Sequence, residues 1–260
     1  MKSVIDRLRS SFRIPRSKVA SDKGPPLEAS SDLAQENIVD TGRGFSAKDP
    51  KKESLKEWNI FPSADQANIG AFRPIGRFKH NTPVGVTVHY TASANISATI
   101  KELASKNLGY HLIIDKDGEM YQCAPLWAQL YHAGRAKWLG LSPNRTHIAV
   151  ALVSWGWLKN RGGLQLSWSG RIIPEDQRRE VRGLWWEKAT LDQEQTLFAF
   201  LKWAVANGID TKNICGHDEC ALPAGRKMDP GGVLELSMAQ VREITRSSSK
   251  TSGQFPGCTT

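Results

Sequence analysis

The sequence has few cysteines and no long apolar segment. Its 260 residues include four cysteines, too few for the disulfide framework that holds small secreted domains together, and a chain of this length can bury a core without one. The longest purely apolar run, Ile148–Val153, is far shorter than the ~18 residues that a membrane-spanning helix needs. We therefore expect no transmembrane segment.

Acidic residues are outnumbered by basic ones. The chain has 35 Lys and Arg against 26 Asp and Glu, a net charge of +9, and a basic surface concentrates polyanions such as nucleic acid, anionic lipid or a phosphate-rich cell envelope. The sequence contains neither zinc-finger spacing nor the aromatic strand typical of RNA-binding domains. We therefore expect no nucleic-acid partner.

Both ends of the chain have the composition of segments outside a core. Residues 1–52 are predicted to form a basic, linker-like arm, because the first twenty residues carry six basic side chains against one acidic, and Ser, Gly, Pro, Asp and Lys dominate the rest. The arm lacks the unbroken apolar segment of a secretory signal. Synthesis in the cytoplasm is therefore expected, and the arm could serve envelope docking or export. Residues 247–260 are predicted to form a flexible tail.

Residues 53–246 intermix strand and helix patterns and are predicted to form one domain. Gly85–Tyr90 alternates polar and apolar residues, which places Thr87 and His89 on one face of a strand. Tyr110–Ile114 and Glu119–Cys123 are predicted to form a hairpin about a turn at Lys116–Gly118, and Ile148–Ser154 a further strand. Helices are predicted at Ser97–Asn107, from a capping box at Thr190 and Gln193 to Gly208, and at Glu235–Thr245. This pattern indicates an α/β or α+β fold with a single mixed central sheet flanked by helices.

Three polar residues could meet around a metal ion. His89 lies at a strand end, His217 lies in a Cys-Gly-His-Asp-Glu-Cys segment, and Asp229 lies in a segment whose prolines and glycines prevent a continuous helix. A loop there can bring Asp229 back beside His217. Two imidazoles and a carboxylate are a three-residue zinc set that leaves a fourth position for water or substrate. Cys215 and Cys220 are rival ligands, a packed thiol pair or a disulfide.

Four motifs carry a resemblance to a known family. They are VTVHYTAS (Val86–Ser93), GYHLIIDKDGEMYQ (Gly109–Gln122), HAG (His132–Gly134) and GHDECALPAGRKMDPG (Gly216–Gly231). In this order they resemble the type 2 N-acetylmuramoyl-L-alanine amidases, zinc enzymes that include phage amidase-type lysozymes, muropeptide-recycling amidases and animal peptidoglycan recognition proteins. The resemblance covers roughly residues 83–246 and implies their mixed-sheet fold.

The resemblance also implies roles for individual residues. It places zinc ligands at His89, His217 and Asp229, the lysine that supports the oxyanion at Lys227, the active-site tyrosine of the phage-type branch at Tyr110, and a groove histidine at His132. His132 could equally be a buried histidine that fixes a loop. Recycling amidases carry a glutamate, the candidate general base, at the position of Ala151. Which group moves the proton therefore stays open.

A tryptophan-rich stretch, residues 155–186, departs from a minimal amidase domain. One interpretation is an elongated hairpin and loop whose tryptophans pack on the sheet. It is favoured because burial of large aromatic side chains contributes strongly to stability. The other is a groove wall in which Trp155 and neighbouring indoles contact sugar or peptide. Both interpretations make the stretch an insertion within the catalytic domain.

The function that we expect is zinc-dependent hydrolysis of the amide bond between N-acetylmuramic acid and L-alanine in bacterial peptidoglycan. The alternatives are a non-catalytic peptidoglycan-binding protein on the same fold and a cytosolic muropeptide-recycling amidase. The tyrosine-type motif and the long insertion favour action at the cell wall or in the periplasm, reached after lysis or by dedicated secretion.

Overall fold

The computed structural model describes residues 58–250, with side chains described as far as Arg246. The arm predicted at residues 1–52 and residues 251–260 of the predicted tail lie outside the described residues. The strands are β1 (Gly76–Arg77), β2 (Gly85–Tyr90), β3 (Leu112–Ile114), β4 (Met120–Gln122), β5 (Ala128–Gln129), β6 (His147–Leu152), β7 (Trp157–Arg161), β8 (Leu164–Leu166), β9 (Arg178–Val181), β10 (Leu184–Glu187) and β11 (Ile214–Gly216). The helices are α1 (Ile96–Ser105), α2 (Pro143–Thr146), α3 (Leu191–Ala206), α4 (His217–Cys220) and α5 (Met238–Lys250).

A five-stranded mixed sheet forms the centre of the fold, in the order β11-β2-β6-β3-β4. The first four strands are parallel, and β4 pairs antiparallel with β3 as the predicted hairpin. Every residue of β6 is buried, as expected for a parallel strand covered on both faces. The predicted α/β fold with one mixed central sheet is confirmed.

Helices cover both faces of this sheet. On one face, alternate residues of β2 and β6 pack against Leu197, Phe200 and Leu201 of α3 and Val241 of α5. On the other face, Ile113 and the small side chains of β6 pack near α1. Strand side chains alternate between the two faces of the sheet. Because both faces are covered, a strand such as β6 is a continuous apolar run in the sequence. None of the helices within residues 58–250 is long and apolar enough to cross a membrane.

Helix α3 begins as its capping box predicts. The Thr190 hydroxyl accepts a hydrogen bond from the Gln193 backbone N–H at 3.1 Å, and the Gln193 side chain accepts one from the Thr190 N–H at 3.1 Å. The Gln193 amide also donates to the carbonyls of Ile114 and Val153, both at 3.1 Å. One residue therefore caps the helix and ties it to two strands of the sheet.

Helix α5 begins later and ends later than predicted. The helix was expected at Glu235–Thr245 but spans Met238–Lys250, four residues into the segment that was assigned to the tail. Ser237 and Gln240 explain the start, because the Gln240 side chain accepts from the Ser237 N–H at 2.9 Å and the Ser237 hydroxyl accepts from the Gln240 N–H at 3.4 Å. This is the reciprocal pairing of a capping box.

The tryptophan-rich stretch is a second sheet rather than a hairpin and loop. Four antiparallel strands occur in the order β8-β7-β10-β9. Trp155, Leu158 and Ile173 form a small buried cluster with Trp168 and Trp185 packed against it. The interpretation in which tryptophans pack inward therefore holds for this cluster, while the extra strand pair was not predicted. We call this element the inserted sheet (residues 157–187).

Removing the hydroxyl of Thr190 tests how much the cap stabilises the fold. Thr190→Ala loses the bond to Gln193 and the hydroxyl's 2.7 Å bond to the Lys116 carbonyl. We expect a loss of about 1–2 kcal/mol in the free energy of unfolding, measured by urea denaturation. Thr190→Ser keeps the hydroxyl and should lose clearly less; equal losses in both variants would contradict the capping explanation.

Candidate metal centre

The candidate centre lies at the carboxyl end of two adjacent parallel strands. The register pairs Val88 of β2 with Gly216 of β11, so the next residues along the two strands, His89 and His217, lie side by side with ring centroids 4.7 Å apart. Ligand sites of open α/β sheets form at this edge. The parallel pairing is therefore what brings together two histidines 128 positions apart in the chain.

The third residue, Asp229, reaches the same point from the loop after α4. Its Oδ2 lies 2.8 Å from Nδ1 of His89 and 2.9 Å from Nδ1 of His217. The loop is held in place because the Asp218 N–H donates to the Asp229 carbonyl at 2.7 Å. All three residues are buried, and one ligand atom from each lies within 4.8 Å of the other two. The structure thus brings together the three residues that the sequence singled out as ligands.

The hydrogen-bond partners of the outer ring nitrogens of His217, His132 and His89 indicate which of these nitrogens carry a proton. Nε2 of His217 is 2.9 Å from the Ala133 carbonyl, and Nε2 of His132 is 3.2 Å from the Pro143 carbonyl. Because carbonyls only accept, both Nε2 atoms are protonated. Nδ1 of His132 then accepts from Nε2 of His89 at 3.1 Å. In its neutral form an imidazole has one proton, so Nδ1 of each ring then presents a lone pair, whereas a protonated ring donates from Nδ1 to Asp229.

This proton arrangement is what a metal ion requires. With both rings neutral, two nitrogen lone pairs face one carboxylate oxygen at less than 3 Å, an arrangement of acceptors that a cation would stabilise. Contacts that fix the outer nitrogen of a ligand histidine also fix its tautomer and orientation. The donor set of two imidazole nitrogens and one carboxylate oxygen suits zinc, with room for a fourth ligand. The residues present therefore fit a metal ion.

Burial controls the charge of these groups. It is the main cause that lowers the pKa of His89 to about 4, which keeps that ring neutral at pH 7. Burial also lowers the pKa of His132 well below its usual value, with the neighbouring histidines adding to the effect. Burial alone would raise the pKa of the Asp229 carboxyl. His217 and His89 outweigh that effect and hold the pKa below its usual range.

Tyr110 and Lys227 border the centre in different ways. The Tyr110 ring lies 4.9 Å from the His89 ring, and burial, then the charge of Asp229, raises the pKa of its phenol, so that it keeps its proton. Lys227 is exposed, two residues before Asp229. Burial and the groups in contact with His89 have the largest effects on the pKa of that histidine, and the positive charge of Lys227 lowers it further. The ammonium therefore lies within electrostatic range of the centre.

The two residues predicted to bind substrate are both buried. His132 is hydrogen-bonded to His89 and the Pro143 carbonyl, which fits the interpretation of a buried histidine that fixes a loop. Trp155 is 8% exposed within the cluster under the inserted sheet. Substrate contact by either residue stays a prediction.

Ala151, in the position of the recycling amidases' glutamate, is paired with His89 across β2 and β6 and is fully buried. The strand therefore offers no carboxylate at that position.

The two cysteines beside His217 are a packed thiol pair. Cys215 and Cys220 are free and buried, and the hydrogen bond with Cys220, followed by burial, raises the pKa of the Cys215 thiol. The thiol of Cys220 donates to the His217 carbonyl at 3.6 Å. A protonated thiol is a poor metal ligand, because the thiolate is the ligating form. The two cysteines form no disulfide, and the group of possible ligands that the described residues bring together contains neither of them.

Two residues that support the centre were missed from the sequence. Asn144 accepts from the N–H groups of His132 and Ala133 at 3.0 and 2.8 Å. Arg226 donates at 3.0 Å to the same Ala133 carbonyl that receives the His217 proton. Arg226 stands directly before Lys227 in the quoted motif, which was the available signal. Asn144 lies outside every motif and had none.

Comparison with known proteins places these residues in one matched region. A sequence model described as N-acetylmuramoyl-L-alanine amidase matches residues 79–232, a span that contains His89, Tyr110, His132, His217, Lys227 and Asp229. No curated protein sequence matches the chain.

Solved structures of amidases have a similar fold. The selenomethionine derivative of AmpD is 19% identical, with a TM-score of 0.46, over 74% of this chain and 99% of its own. AmiD from E. coli, solved with anhydro-N-acetylmuramic acid-L-Ala-D-γ-Glu-L-Lys, is 18% identical, with a TM-score of 0.48, over 72% of this chain and 69% of its own. AmpDh3 from Pseudomonas aeruginosa is 19% identical, with a TM-score of 0.45, over 67% and 69%.

Substitution of His132 tests whether the outer contacts prepare the ligands. His132→Ala leaves the Nε2 proton of His89 without its acceptor, so we expect the affinity for Zn²⁺ to fall by about 10–100-fold, measured by competition with a chromogenic chelator. His80→Asn, at an exposed histidine in a turn, is the control and should bind as the unmodified protein does. Unchanged affinity in a folded His132→Ala protein would count against the proton arrangement described above.

Proposed function

The chain belongs to the N-acetylmuramoyl-L-alanine amidase family, and we propose that it is a zinc-dependent enzyme that hydrolyses the amide bond between N-acetylmuramic acid and L-alanine in bacterial peptidoglycan. The observation that carries the proposal is the convergence of His89, His217 and Asp229 on one point at the carboxyl edge of the sheet. That point lies inside the region matched by the family.

The proposed metal site is His89, His217 and Asp229, with zinc as the ion. Bound there, zinc would act as a Lewis acid and lower the pKa of water towards ~7. The chain contributes the preparation of the site: His132 and the Ala133 carbonyl hold the two rings with their lone pairs inward. Burial keeps His89 neutral, so no proton has to leave that ring before it can ligate.

Lys227 and Tyr110 are proposed to act on the substrate. Attack on an amide carbonyl places negative charge on its oxygen, and the Lys227 ammonium is in range to stabilise that charge electrostatically. The phenol of Tyr110 keeps its proton because of burial and the charge of Asp229. It can therefore donate a hydrogen bond to the substrate, a role that matters here because Ala151 supplies no carboxylate that could move a proton.

Two observations favour work on the polymeric wall over recycling of soluble fragments. Ala151 replaces the carboxylate that the recycling enzymes of the resemblance carry, and the inserted sheet adds a surface that a compact domain would lack. The non-catalytic alternative is less well supported, because all three candidate ligands and both candidate catalytic residues are present. Docking by the basic arm and delivery by lysis or secretion are part of this proposal.

The reaction itself can be read from its products. Purified peptidoglycan digested with the protein should release stem peptides with a free L-alanine amino group and leave glycan without peptide, detected by mass spectrometry. A chelator should abolish the release, and added Zn²⁺ should restore it. New reducing ends on intact glycopeptides would instead indicate a glycosidase, and binding without any cleavage would support the non-catalytic alternative.

Substitution of Lys227 separates metal binding from catalysis. We expect Lys227→Ala to bind zinc normally but to lose about 10²–10³ in turnover, the usual cost of removing one group that stabilises an oxyanion. Zinc content and turnover on the same preparation are the measurements. Lys212→Ala, at an exposed lysine paired with Asp210, is the matched control and should be fully active. Near-normal turnover of Lys227→Ala would exclude the role.

A further inference from the structure

We infer that the outward face of the inserted sheet is a second substrate-binding surface, one that holds the peptidoglycan polymer beyond the bond that is cut. The inference rests on the proposed function. We define the outer face by its five exposed residues: Trp157, Lys159, Arg161, Leu164 and Leu184.

The inserted sheet is fixed rigidly to the loop that carries Asp229. The Trp186 ring packs so closely on Gly231 and Gly232 that a Cβ at either glycine would lie about 2.5 Å or less from it. Arg179 donates to the carbonyl of Gly232 at 2.6 Å and also to that of Val233. The sheet therefore holds a fixed position relative to the metal centre, as a subsite requires.

The outer face adjoins the end of the strand that carries His89. Tyr90 follows His89 directly, and its ring lies against Gly156, where a Cβ would come within 2.2 Å. A backbone hydrogen bond from Trp157 reaches the same tyrosine, and the Tyr90 ring makes an edge contact with Trp186 at 6.4 Å between centroids. The outer face is therefore joined at Trp157 to the end of the strand that carries His89.

Strand register separates the two faces of the inserted sheet. Trp157 is paired with Trp186, Lys159 with Leu166 and Arg161 with Leu164, and directly paired residues point to the same side. Leu158 and Trp185, paired with each other on the opposite side, pack into the Trp155 cluster. The outer face therefore lies on the side of the inserted sheet that carries Trp157 and Trp186. Trp186 itself is buried, and the five residues that define the outer face are exposed.

The charges of the two faces also differ. Within β7 to β10 the acidic residues Glu180 and Glu187 belong to the inward side, since they are paired with Trp185 and Arg178. The outer face carries Lys159 and Arg161 and no acidic residue.

This chemistry suits a strand of peptidoglycan. The exposed indole of Trp157 offers an apolar plane for the C–H face of a sugar ring, with Leu184 on the neighbouring strand. Lys159 and Arg161 suit the free carboxylates of stem peptides, and arginine can bind a carboxylate with two parallel hydrogen bonds. Because each exposed contact is weak, the surface would contribute only when a polymer spans it and the catalytic centre together.

The test compares binding to polymer with cleavage of a small substrate. The double variant Lys159→Glu/Arg161→Glu should bind purified peptidoglycan sacculi about tenfold more weakly in a sedimentation assay, yet cleave a soluble disaccharide-peptide at the normal rate. Lys79→Glu/Lys101→Glu, at two exposed lysines outside the inserted sheet, changes the net charge equally and should bind sacculi normally. Trp157→Ala should reproduce the first pattern without any change of charge.

Three results would overturn the inference. Equal loss in both double variants would mean that only net charge matters, unchanged sacculus binding would mean that the face is not used, and parallel loss of soluble cleavage would mean that the substitutions disturb the centre. If the unmodified protein cleaves neither the soluble substrate nor the sacculi, the proposed function fails instead, and the comparison of sacculus binding still stands.

Discussion

The structure depends on one shared contact: a single carboxylate oxygen of Asp229 faces a ring nitrogen from each of two buried histidines. In the neutral rings these three atoms are all acceptors, an arrangement that a positive charge between them stabilises, and the outer nitrogens of the rings are hydrogen-bonded elsewhere. His89 is bound to His132, which is bound to a carbonyl, and His217 is bound to the Ala133 carbonyl. Orientation is thus set by the protein before any ligand arrives, which is how a fold prepares a metal site.

The rest of the fold can be understood as support for that contact. Parallel β2 and β11 place the two histidines side by side, and the loop 131–144 supplies the outer hydrogen bonds, itself organised by Asn144 and Arg226. The inserted sheet braces the Asp229 loop from the other side through Trp186 and Arg179. Residues far apart in the chain therefore support the same site. Burial makes a charge at this site costly, and for that reason His89 stays neutral and Tyr110 stays protonated.

Local patterns predicted much of this structure. Alternation identified β2 and its polar face, the turn at Lys116–Gly118 identified the β3–β4 hairpin, and the Thr190 and Gln193 pair identified the start of α3. The same Ser-x-x-Gln signal at Ser237 and Gln240 was present and overlooked, which displaced α5. The support of the site could not be predicted in this way, because it uses backbone carbonyls, which have no sequence signature, and contacts between distant segments. The inserted sheet was not predicted for a related reason: its strands are short, and their pairing depends on tertiary packing rather than on strict alternation of polar and apolar residues.

The most direct test of the central claim is X-ray absorption at the zinc edge of the purified, zinc-loaded protein. The account predicts only nitrogen and oxygen neighbours at ~2.0–2.2 Å, with the imidazole signature of two histidines. A sulfur neighbour at ~2.3 Å would assign the ion to Cys215 or Cys220, and a protein that retains no zinc at all would remove the metal from the chemistry. Either result would contradict the account.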